Sequence, residues 1–178
     1  MPNKPGKVSK AQMKKNCLAL IQTAKVMSLG TCDETGPSST KECCSKENHG
    51  FDRALPWIAP VYYWYHAPGF YFFSSPGACH IRQGVNRVCA ASIFEDASQF
   101  SKIKGVQMSG RIQPCDAKAK TIAIAFSYCR RFGITAGTKE IFDFFWTRFN
   151  AKMYLFAPDL IYYMDNEQGI GNRLELSL

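Results

Sequence analysis

Between Pro60 and Asp96 the chain places residues able to hold a phosphate within a run rich in aromatic side chains. Ser74 and Ser75 open a short polar loop that ends at Gly77. Cys79, His80 and Arg82 follow on a segment of helical character, and Arg87 comes next. A serine hydroxyl donates one hydrogen bond, and an imidazole donates more strongly when protonated, a form that a neighbouring phosphate dianion favours. The backbone amides at Gly77 and Ala78 open the helix and can add donors of their own. The order strand, turn, strand, loop, basic helix, strand therefore suits a phosphorylated ligand lying against a sheet edge. Each side chain also has a plainer role. Ser74 and Ser75 can end a strand and cap a helix, His80 can be a surface helix residue, and Arg82 and Arg87 can be solvated cations.

A second grouping with chemical potential is Cys32, Cys43, Cys44 and His49. These are metal-ligand types, but adjacent cysteines followed by a single histidine do not match the spacings of structural zinc sites. A plain surface loop is the other reading, and no metal site is assigned. The eight cysteines include no Cys-x-x-Cys pair. Without a secretory signal, free thiols are the expectation. Cys17, on a helix face, and Cys89, inside an apolar strand, read as small buried residues.

The chain of 178 residues is long enough for one domain with its own core. No apolar run reaches the roughly 18 residues that a membrane span needs, and the lysine-bearing start lacks the apolar core of a secretory signal. A cytoplasmic protein is expected. The formal charge is +8, and Lys4, Lys7, Lys10, Lys14 and Lys15 crowd the start. That run reads as a solvated tail and helix face; no nucleic-acid motif accompanies it, so neither nucleic acid nor membrane is expected as a partner.

The elements that would position these groups follow from periodicity. Met13, Cys17, Leu20, Ile21 and Ala24 mark one face of a helix over 9–24 that Ser9 can cap. A strand over 25–31 and a turn over 32–36 lead to a polar insertion, 37–56. Residues 57–65 and 70–74 form a hairpin around Ala67-Pro68-Gly69. A short helix over 78–84, a strand over 87–95 and a strand over 106–113 follow. Asp116 caps a helix to 131, a short aromatic helix covers 138–146, and a long strand over 153–165 carries Pro158, which predicts a bulge or an edge. A glycine-flexed turn and a short final strand end the chain. Residues 1–8 read as a flexible leader. Short connections make the sheet mainly antiparallel, and strands of this number with peripheral helices suit a small barrel of mainly β, α+β type.

These pieces resemble the FMN-binding split-barrel superfamily, the group that includes pyridoxamine 5'-phosphate oxidase. Pro60-Val61-Tyr62-Tyr63, Phe70-Tyr71-Phe72-Phe73-Ser74-Ser75, the helix at Ala78 and Val106-Gln107-Met108-Ser109-Gly110-Arg111 carry the likeness by their order and spacing. It runs closest to small uncharacterised bacterial members, which share a Gly-Val-Gln strand and a late Asp-Asn then Gly-x-Gly tail, here Asp165-Asn166 and Gly169-Ile170-Gly171. The resemblance implies a single domain over 1–178, folded as a six-stranded antiparallel split barrel of Greek-key type. It also implies a homodimer with FMN in the cleft between subunits. The flavin would lie along Ala59, Pro60, Val61 and Tyr62 and along Phe73, Ser74 and Ser75, with Gln83 also on the cofactor side. The family clamps the phosphate with an Arg-Lys pair, whose positions hold Cys79 and His80 here. A cysteine cannot supply the bidentate charged bonds of an arginine, so the hydroxyls, His80, the amides of the loop, or Arg82 or Arg87 would have to replace them.

The function implied is that of an FMN-dependent oxidoreductase of the pyridoxamine 5'-phosphate oxidase-like type. Its substrate is not legible, and no side chain stands out as a general base, so no catalytic residue is assigned. The basic pattern that would bind pyridoxamine phosphate is not evident near the C-terminus. The alternative is a non-catalytic dimeric module holding haem or another ligand in the same cleft, with His49, His66 and His80 as the available imidazoles.

Overall fold

Alternation of inward and outward side chains builds the strands Val26–Cys32, Pro56–Tyr62, Val88–Phe94 and Lys104–Pro114 of the sheet in this computed structural model, which describes residues 8–32, 56–116, 118–134, 145, 147 and 150–178. In β1 (Val26–Cys32) Met27, Leu29 and Thr31 point inward; in β2 (Pro56–Tyr62) Ala59 and Val61 do. β3 (Trp64–His66) and β4 (Gly69–Ser74) form the expected hairpin, with Ala67-Pro68, a cis bond, between them. Gly69 is needed there, because a Cβ would collide with the Phe156 carbonyl and come within 2.8 Å of Leu155 Cδ1. β5 (Val88–Phe94), β6 (Lys104–Pro114), β7 (Lys152–Asp165) and β8 (Arg173–Glu175) complete one antiparallel sheet.

The strand order is β2-β1-β5-β6-β7-β4-β3, with β8 added on β7. β2 and β3, the two ends of this order, are separated only by Tyr63, so the sheet curls until its borders meet in one stretch of chain. From β4 the chain returns through α2 (Cys79–Gly84) to set β5 beside β1, a Greek-key crossing. Among the described residues the sheet has eight strands, not the six that were expected. The run read as one strand over 57–65 changes partner at Tyr63, from β1 to β4, and the tail contributes β8. The proline in β7 marks a bulge as predicted: Ser109 pairs with Leu160 and Gly110 with Pro158, leaving Asp159 extra.

α1 (Lys10–Thr23) is capped by Ser9, whose Oγ accepts from the Gln12 amide at 3.2 Å, and buries Met13, Cys17, Leu20 and Ile21. α3 (Ala119–Arg131) starts later than predicted: Lys118 is its cap residue, and the Asp116 carboxylate instead pairs with Lys118 Nζ at 3.2 Å. The main core gathers inward residues of the sheet with α1 and Ile81; Tyr63, Tyr163, Phe70, Phe72 and Phe156 are its largest fully buried members. Val8, the last residue of the expected leader, packs against it. The rest of that leader, most of the insertion over 37–56 and all of the helix over 138–146 except Phe145 lie outside the described residues. Among the described residues no helix is long and apolar enough to cross a membrane.

Candidate functional site

The ten expected cofactor contacts fall into separate environments. Ala59 and Val61 point into the core, so only their backbone could face a ligand. Pro60 and Tyr62 point outward from the same strand, and Tyr62 is 58% exposed. By the same alternation Phe72 and Ser74 share one face of β4, while Phe73 and Ser75 share the other. The Phe73 ring is already covered: Phe145 stacks on it at 4.0 Å, nearly parallel, and Tyr128 meets it edge-on at 5.1 Å.

The expected phosphate end is built from the end of β4 and α2. Ser74 Oγ and His80 Nε2 are 2.9 Å apart, which brings together two residues that the sequence placed side by side in function. Ser75 Oγ accepts from the Gly77 amide at 3.3 Å, and its carbonyl accepts from the Ala78 amide at 3.0 Å. Neither serine caps α2, whose cap residue Ala78 offers no side-chain bond. Burial lowers the pKa of His80, which favours the neutral imidazole near pH 7. Cys79 is buried, and the buried Gln83 Oε1 accepts from Thr31 Oγ1 at 2.8 Å. Positions 79 and 80 therefore hold a buried thiol and an imidazole that burial biases to the neutral form, without the charge of the family's Arg-Lys pair.

The outer face of β2, β1, β5 and β6 carries an arrangement that the sequence reading did not single out. Register aligns Ile58, Gly30, Ala90 and Ser109 in one row across the strands and Pro60, Ser28, Ser92 and Gln107 in the next. Neither row contains a charge. A trough of about 320 Å³ runs over Gly30, Ala90, Ser28 and Ser92. Ile58 stands beside it 71% exposed, and Val88 and Phe94 are also exposed on β5. Exposed apolar residues without interspersed charge are unusual on a sheet meant to face water. Charges gather at the rim, where Arg111 Nε lies 3.9 Å from Asp159.

A larger cavity, about 650 Å³, lies at the other end of β2. Tyr62, Tyr128 and Phe132 form its aromatic wall, and Lys25 and Arg131 bring two cations. No local motif announced it, because β1, β2 and the end of α3 come together only in the fold. Among the described residues no group of three or more histidine, cysteine or acidic side chains could hold a metal. Of the suspected Cys32, Cys43, Cys44 and His49 grouping, only Cys32 is described, and it is exposed.

No protein-family model matches the chain, and no curated protein matches its sequence. Solved structures do match its shape. ChuZ from Campylobacter jejuni superposes with a TM-score of 0.66 at 11% identity, over 96% of this chain; the chain spans 61% of the length of ChuZ. HutZ, titled a heme storage protein, from Vibrio cholerae, gives 0.59 at 16% identity over 83% of this chain and 90% of that one. An FAD-binding protein from Mesorhizobium loti gives 0.52 at 14% identity over 83% and 89%. At these identities the likeness shows the fold, and function must be argued from the site. The fold agrees with the resemblance in its coarser outline, a mainly β antiparallel sheet that curls into a half-barrel with peripheral helices, and differs in strand number; a heme storage protein and an FAD-binding protein share it.

Proposed function

We propose that the chain is a homodimeric flavin-binding protein, with FMN as its cofactor and redox transfer as its use. The observation that carries this reading is the uncharged outer face of β2, β1, β5 and β6, with Pro60 and Tyr62, two expected flavin neighbours, at its border. A second copy related by a two-fold axis would cover the trough and convert that border into a cleft. That one fold relative is an FAD-binding protein supports a flavin as ligand.

The residues present fit the ring of a flavin better than its phosphate. Pro60 and Tyr62 offer apolar and aromatic surface outward, while the Ser74–His80 pair and the Ser75 loop offer neutral donors. A bound isoalloxazine would supply hydride or electron transfer, the chemistry for which proteins use it. The chain's part is to hold the ring, to exclude water at the seam between copies, and to donate hydrogen bonds at the phosphoryl end. His80 would gain a proton as a phosphate dianion approached, against the burial that keeps it neutral.

Reconstitution with FMN tests this directly. The expected outcome is a particle of twice the 20.0 kDa chain mass that retains yellow absorbance after desalting. A monomer that releases all added FMN refutes it. His80→Ala is expected to weaken FMN; unchanged affinity would show that other groups hold the phosphate. The second reading, haem in the same cleft, draws on HutZ, a heme storage protein of this fold, and on His66, exposed at the end of β3. A Soret band on haem titration, lost in His66→Ala, would favour it over flavin.

A further inference from the structure

The cavity at the end of β2 contains two cations, and among the described residues no acid lines it to balance them. Arg131 reaches from the last turn of α3 to the end of α1, where Nη2 donates to the Ala24 carbonyl and, at 3.4 Å, to the Thr23 carbonyl. The guanidinium lies over the Trp64 ring at 5.5 Å. Its Nε is buried without a hydrogen-bond partner. Lys25 is the next residue after Ala24 and is exposed. Its carbonyl accepts from the Tyr63 amide at 3.1 Å, which fixes it beside Tyr62. Among the described residues, no ion pair involves Lys25 or Arg131.

The wall facing these charges is aromatic and pre-formed. Tyr62 and Phe132 meet edge-to-face at 5.1 Å, and Tyr128 and Phe132 are 4.7 Å apart. The Tyr128 hydroxyl donates to the Tyr62 carbonyl at 3.4 Å, tying the end of α3 to the end of β2. Burial pushes the Tyr128 phenol well above its ordinary pKa, so it stays a neutral donor. A cavity of about 650 Å³ is within the range that takes a small organic ligand. Aromatic walls select a planar ring by stacking, and unpaired cations in a partly dry site select an anion.

We propose that this cavity binds a planar aromatic anion, with its ring against Tyr62 and Phe132 and its carboxylate or phosphate ester between Lys25 and Arg131. The inference shares Tyr62 with the flavin reading but uses none of the residues at the Ser74–His80 end, and its charged partners, Lys25 and Arg131, have no part in that reading. It also differs from what the family clamp would suggest: the unpaired positive charge is here, not at positions 79 and 80.

Isothermal titration calorimetry with 1-naphthoate, 1-naphthyl phosphate and neutral 1-naphthamide tests it on the whole protein. At least one of the two anions is expected to bind about tenfold or more tightly than the amide, an advantage that shrinks with added salt. The better anion identifies the head group. Lys25→Ala should weaken that anion roughly three- to tenfold while leaving the amide unchanged. Tyr62→Ala should weaken all three probes. Arg131 also holds the end of α1, so its variants can lose the fold; exposed Lys25, which the flavin reading does not use, is the variant that separates the two proposals, while Tyr62 reports on the ring wall alone. Equal binding of anions and amide, or indifference to both substitutions, overturns the proposal. A protein that retains FMN but ignores both anions keeps the flavin reading and loses this one; the opposite result does the reverse.

Discussion

Replacing Ile58 by aspartate isolates the contribution of the uncharged outer face. Ile58 is 71% exposed and pairs across the strands with Gly30, beside the trough over Ala90. Fully burying an isoleucine side chain is worth about 1.5–3 kcal/mol, so covering the exposed part contributes about 1–2 kcal/mol. A two-fold interface uses the residue twice, which makes about 2–4 kcal/mol per dimer. At 1.4 kcal/mol per factor of ten, the lost contact alone raises the dimer Kd roughly 30- to 700-fold. Two carboxylates brought onto an apolar seam add a desolvation cost in the same direction. The monomer should lose no more than about 1 kcal/mol, because the site faces water in the single chain. Sedimentation equilibrium on wild type and Ile58→Asp, with thermal melts as a control, reads both quantities. An Ile58→Asp protein as dimeric as wild type, with flavin retention unchanged, would refute the assignment of this face to a second copy.

Other consequences can be measured separately. Gly69→Ala should cost about 1–3 kcal/mol, because the new methyl meets the Phe156 carbonyl, and lower Tm by about 2–4 °C for each of those. Gly30→Ala should leave Tm nearly unchanged, since the nearest atoms are 3.6 and 3.7 Å from the added Cβ. His80 has a folded-state pKa below its unfolded value of about 6.5, so the unfolded chain takes up the proton first. Its contribution to stability is therefore complete above that value and falls away as the pH drops below it. His80→Asn should flatten that part of a Tm-against-pH curve. Alkylation mapped by mass spectrometry at pH 8 should label Cys32 readily and spare Cys17, whose thiol burial pushes up to about 12, and Cys89 and Cys129, pushed to about 11. Rapid labelling of Cys17 in native protein would contradict its placement in the core.

Local patterns carried much of the fold. The Pro68-Gly69 turn, the Ser9 cap, the buried faces around Cys17 and Cys89, and the bulge at Pro158 each follow from one or two residues acting on nearby backbone. The change of partner at Tyr63 does not. Alternation runs unbroken through that residue, and its inward turn is fixed by the core and by a 2.7 Å bond from its hydroxyl to the Ile21 carbonyl, 42 positions away. The start of α3 was misplaced because Asp116 can cap a helix but here pairs with Lys118. Of the site, the Ser74–His80 proximity was legible because both lie within one loop and its helix. The cavity at Lys25 and Arg131 was not, since Ala24 and Arg131 meet across 107 positions and no local pattern in the sequence joins the two cations.

The border shared by β2 and β3 also decides how this protein can meet other chains. A sheet edge normally offers a foreign strand a row of free amides and carbonyls. Here one border segment turns at Tyr63 and serves as the other, and its longer part contains Pro56 and Pro60, which have no amide hydrogen to give. The remaining stretch, β3, is three residues long. Amyloid-like zippering therefore finds little purchase at this seam, and association is steered toward the broad faces of the barrel.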